Sequence, residues 1–71
     1  MNISWCEVWI NDSNHLPYVL LLCVDEDNPS EFLIIDPQDN RKVIMKTTDY
    51  EEAEMWLSAD EFIFVDGRVE I

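Results

Sequence analysis

Cys6, His15 and Cys23 are the residues of this chain best suited to hold a soft metal ion, because thiolate and imidazole fit a tetrahedral zinc site once a carboxylate completes it. Their spacing contains no paired-ligand motif such as C-x-x-C, and both cysteines fall inside apolar stretches. Cysteines in that setting are expected to be buried, inert thiols. If the first two strands pair around the loop between them, the two sulfurs face each other, close enough for a disulfide under oxidising handling. His15 is the only histidine and follows Asp12 and Asn14 in a polar segment. It could act as a general base, but no neighbour in sequence orients it, and it reads as an exposed loop histidine. Ser4, Ser13, Ser30 and Ser58 lie in no nucleophile-elbow context.

Oxygen ligands are plentiful and poorly arranged. Asp25-Glu26-Asp27-Asn28 would suit calcium, yet the glycine of an EF-hand loop is missing and Pro29 takes a ligand-bearing place. Asp36, Asp39 and Asn40 form a second acidic turn of the same kind. Asp60-Glu61 is the carboxylate pair best placed for glycosidase chemistry, but so short a chain has no long loop to wall a sugar cleft. Gly67 is the only glycine, so no loop can cradle a phosphate. We expect no enzyme activity, no catalytic residue, no metal site and no cofactor; a weak metal or hydrolytic site is the remote alternative.

The aromatic residues point to binding instead. Alternation over residues 5–10 puts Trp5, Glu7 and Trp9 on one face, the two tryptophans about 13 Å apart by strand rise. Tryptophan is enriched at interface hot spots, and an acid beside it can pair with Lys or Arg. The competing reading places both rings in the core or against a second copy. Glu51, Glu52 and the outward-facing Met55 extend the expected partner surface onto a helix.

Charge supports that expectation. The chain carries sixteen Asp and Glu against four Lys and Arg, a formal net charge of -12, although 48% of it is hydrophobic. The hydrophobic fraction argues for a folded domain, since disordered acidic chains lack it. No Lys or Arg precedes Arg41, and none lies between Asp49 and Asp66. Such a surface repels nucleic acid and anionic lipid and attracts basic proteins, while acidity also serves solubility alone. The longest apolar stretch, residues 18–24, falls far short of the roughly 20 residues of a membrane span. With no signal-like start and only two cysteines, a cytoplasmic protein with reduced thiols is expected.

Turn residues divide the chain into short elements. Strands are expected at 5–10, 18–25, 32–35, 43–46 and 61–66, the last ending at a Gly67 turn. Thr48-Asp49-Tyr50-Glu51 matches a capping box and opens a helix ending near Ser58, with Tyr50, Ala53, Trp56 and Leu57 on one stripe. The 71 residues make one small α+β domain, a mostly antiparallel β-meander of order β-β-β-β-α-β with one helix on one face. A helix of about ten residues spans roughly 15 Å and covers only one side. Strands 18–25 and 32–35 are apolar on both sides, so either the sheet curls into a barrel or two chains stack; a homodimer is the favoured expectation.

Overall fold

The computed structural model describes residues 2–12 and 17–70. Four strands follow one another as antiparallel hairpins: β1 (Ile3–Asn11), β2 (Tyr18–Asp25), β3 (Asn28–Asp36) and β4 (Lys42–Thr47). The helix α1 (Tyr50–Ala59) then leads to β5 (Ile63–Glu70), which pairs antiparallel with β1. The strand order is β4-β3-β2-β1-β5, an α+β meander in which β4 and β5 form opposite edges. The sheet is therefore open rather than closed as a barrel. The segment carrying α1 crosses from the β4 edge to the β5 edge, and the helix lies on one face while doing so.

The two faces have separate cores. Under the helix, Ala53 and Leu57 pack onto Trp9, Leu20, Leu22, Ile34 and Phe62. On the far face, Cys6, Cys23, Leu33 and Ile35 form a second cluster with no helix over it. Trp56, expected in the helix's inward stripe, is 38% exposed. It lies about 100° round the helix from Leu57, too far to share its contacts.

The strands run one to four residues beyond most of the ends read in the sequence and β5 starts two residues later; three boundary differences, one of them at the helix start, have a local reason. Asp49, not Thr48, is the helix N-cap, its carboxylate accepting from Glu51 N. Thr47 Oγ1 in turn accepts from Asp49 N, holding the cap in place. β3 begins before Phe32 because residues 29–31 bulge out between the pairs Asp25↔Asn28 and Val24↔Phe32, which frees Pro29 from supplying a ladder donor. β5 runs on past Gly67, because residues 66 and 67 bulge between the pairs Val8↔Val65 and Glu7↔Arg68. Gly67 takes φ +88 there, so its missing side chain serves a bulge rather than a strand end.

The helix closes with a Schellman motif: Phe62 N donates to Leu57 O at 2.9 Å and Glu61 N to Ser58 O at 3.0 Å. Phe62 thereby packs against Leu57 in the core. Glu61 must adopt φ 64 to make this turn, a left-handed conformation that disfavours any side chain. Glu61→Gly is expected to stabilise the fold by about 0.5–1 kcal/mol, since relief of the strain outweighs the added chain entropy of glycine. A urea midpoint that falls or stays unchanged would count against this reading of the turn.

Candidate functional site

The strand alternation does seat Trp5, Glu7 and Trp9 on one face, and that face lies beneath α1. Glu7 is only 2% exposed. Its carboxylate accepts from Trp9 Nε1 at 3.2 Å and from the Tyr50 hydroxyl at 2.5 Å. The Trp5 ring stands against Phe32 and Tyr50, with centroids 6.4 and 6.5 Å away. The trio therefore fastens the first turn of the helix to the sheet. Glu7 and Trp9 are buried and offer a partner no surface, while Trp5 is half-buried. Glu51, Glu52 and Met55 are exposed, Met55 by 70%. They occupy the outer side of the helix, where the two acids in the first turn also complement its dipole.

A second grouping lies at the other end of α1. A cavity of about 310 Å³ opens between the helix C-terminus and the sheet, lined by Tyr18, Trp56 and Phe62 together with Asp36, Asp60 and Asn11. Alternation along β2 and β3 aims Tyr18 and Asp36 at this face, in step with Leu20 and Ile34. The Tyr18 hydroxyl donates to Asp36 Oδ2, and Gln38 donates to Asp36 Oδ1 from its backbone at 3.0 Å and its side chain at 2.7 Å. The Gln38 amide also bonds Val19 N and O as though it were one more strand residue. That bridge continues the β2–β3 ladder and holds the Asp36 turn still.

Asp36 is 6% exposed. The hydrogen bond from Tyr18 holds its carboxyl below the usual range against partial desolvation, and the Gln38 bonds add to the effect. The same bond to Asp36 pushes the Tyr18 hydroxyl above its ordinary range. Asp36 is thus an anion steadied by neutral donors. Lys42 stands opposite it in the β3–β4 ladder, yet no described Lys or Arg forms an ion pair with it. Across the cavity, Asn11 Nδ2 donates to Asp60 O at 3.1 Å, tying the end of the helix to β1. The last helical turn contains no basic residue. Tyr18 is 43% exposed, Trp56 borders the same opening, and Phe62 backs it.

No known protein family, curated protein or solved structure matches this chain.

The remaining sequence candidates fall into place structurally. Cys6 and Cys23 are cross-strand partners with Sγ atoms 3.1 Å apart, free and buried on the face opposite the helix. Burial, followed by the bond to Cys6, pushes the Cys23 thiol well above its ordinary range, which slows its reactions as a nucleophile. Asp25 Oδ1 accepts from Asp27 N at 3.0 Å, so the first acidic turn uses a carboxylate to shape its own backbone. Among the described residues no group of three or more His, Cys, Asp and Glu could hold a metal ion. His15 and Ser13 lie outside the described residues. No helix among the described residues is long and apolar enough to cross a membrane.

The sequence marks Asp36 and Asp60 separately, as acids of two different junctions, and does not bring them together with Tyr18 and Trp56 as one site. Asp36 looks like an ordinary turn acid, Tyr18 a strand end and Trp56 a core residue. The one legible signal is a register argument: folding the 18–36 segment about the Glu26-Asp27 turn brings its two ends, Tyr18 and Asp36, together.

Proposed function

We propose that the protein is a non-enzymatic binding module whose acidic helix side engages a basic protein, in the manner of an inhibitor, an immunity-type partner or a nucleic-acid mimic. One observation carries the reading: α1 exposes Glu51, Glu52 and Met55 in a stretch free of Lys and Arg from Asp49 to Asp66, on a chain of net charge -12. Carboxylates around an exposed apolar side chain combine long-range attraction with a desolvated contact, the usual division of labour in a charge-steered interface. In a pull-down from lysate with tagged protein, a basic protein is expected to bind and to leave between about 0.1 and 0.5 M salt, where screening shortens electrostatic reach below 10 Å. The double variant Glu51→Lys, Glu52→Lys is expected to lose it. A partner that is acidic, or that ignores both salt and the variant, would overturn the proposal.

The sheet face opposite α1 carries exposed apolar residues on the edge strand β5 and favours a second reading, a structural homodimer whose acidity serves solubility. Ile63 and Val65 on β5 are 59% and 40% exposed on that face, opposite Ile10 and Val8 of β1. Neighbouring apolar side chains exposed on an edge strand suit a contact with a second copy. Recovery of only untagged copies of the chain in the same pull-down would support this reading over the first.

A further inference from the structure

We infer that the cavity at the C-terminal end of α1 is a receptor for a single arginine side chain of a basic partner. The inference rests on the proposed binding function and names the anchor within it.

Four features of the cleft converge on a guanidinium. Asp36 presents a nearly buried negative charge whose hydrogen bonds come from neutral groups, so its charge is not cancelled by any described cation. Tyr18 bonds Oδ2 and Gln38 bonds Oδ1 twice, so the carboxylate is fixed in one orientation at the cleft and its charge is left to act through space. Asp60 and the helix C-terminus, with no basic residue in its last turn, bring further negative potential to the same opening. Tyr18 and Trp56 supply half-exposed ring surfaces at the opening, and a cation over such a face is attracted by the ring quadrupole. A planar, weakly hydrated guanidinium can stack on a ring while donating to a carboxylate, which a compact ammonium does less well.

Size and chemistry argue against the other occupants. A volume of about 310 Å³ is at the lower limit of small-molecule sites and suits one side chain. A divalent ion needs several converging ligands, and among the described residues no group of three or more His, Cys, Asp and Glu could hold one. The site is also stiff: Gln38 clamps the Asp36 turn, Asn11 holds the helix end, and Tyr18 stands edge-on to Phe62 at 83°. A preorganised receptor loses little entropy when a flexible side chain enters it.

The test is a chemical-shift titration of the ¹⁵N-labelled protein with N-acetyl-arginine methylamide, and with the citrulline analogue as an uncharged match. The arginine compound is expected to move the Trp56 indole and the amides of Tyr18, Asp36 and Asp60 in a saturable way, while citrulline moves them little. Trp56→Ala, at a half-exposed position that the fold tolerates, is expected to weaken binding about tenfold, and Asp36→Asn by at least as much. Equal response to citrulline, or shifts confined to Glu51 and Glu52, would overturn the assignment. An arginine-rich peptide separates the two proposals. If it binds wild type and Trp56→Ala equally well, the receptor falls and the acidic-surface reading stands. If arginine amide fills the cleft but neither the peptide nor any lysate protein binds, the receptor stands and the wider reading falls.

Discussion

Leu57→Ala is expected to cost about 2–5 kcal/mol, the range for removing a fully buried leucine. Leu57 and Ala53 are the only buried residues of α1, so Leu57 is the one large side chain by which the helix enters the core. It packs with Trp9, Leu22, Ile34 and Phe62, and its carbonyl also closes the turn to Phe62. A 71-residue domain has a total stability of about 4–11 kcal/mol at ordinary values per residue, so this loss takes up a large share of it. The expected result is a urea midpoint at about half the wild-type value or lower, with far-UV helix signal lost together with tryptophan burial. Salt should restore part of the stability by screening the net charge of -12. A midpoint within experimental error of wild type would mean that α1 is held mainly by its capping turns and by Tyr50.

Glu7→Ala is expected to destabilise by about 1.5–4.5 kcal/mol, because the buried Trp9 donor loses its acceptor at about 1–3 kcal/mol and the half-buried Tyr50 hydroxyl gives up a bond worth about 0.5–1.5 kcal/mol. Those donors are Trp9 Nε1–H and the Tyr50 hydroxyl, from opposite sides of the helix–sheet junction. Glu7→Gln keeps one carbonyl oxygen and should lose much less. Adding Tyr50→Phe to Glu7→Ala should cost less than Tyr50→Phe alone, since the carboxylate that accepts from the hydroxyl is already gone. A double-mutant cycle by urea unfolding measures this coupling. Additive effects of the two substitutions would show that the carboxylate and the phenol act independently, and that the buried acid does not fasten the helix.

These two sites show where sequence reasoning reached and where it stopped. The alternation of Trp5, Glu7 and Trp9 was legible because side chains on a strand change face at every residue. The pattern leaves both a partner surface and the core open for the two rings: it says which residues travel together, not which side the helix covers, and Trp9 lies in the core. An acid between two tryptophans looks like a surface patch until Tyr50 arrives from 43 positions away to bond it. Trp56 went the other way. Its helical stripe suggests core, but it sits about 100° round the helix from Leu57 and borders the open cleft.

The sequence by itself determined the β-β-β-β-α-β order, the hairpin turns, the capped helix and the acidic, helix-displayed Glu51, Glu52 and Met55. Each of these rests on short-range physics: turn residues that bond their own backbone, a carboxylate at a helix start, and charges that remain in water. Only the tertiary structure decided that the sheet stays open, that Glu7 is buried, and that Tyr18, Asp36 and Trp56 line one cleft. Those outcomes depend on register and on the single face α1 covers, and both are set by side chains far apart in the chain that meet only when the sheet is complete.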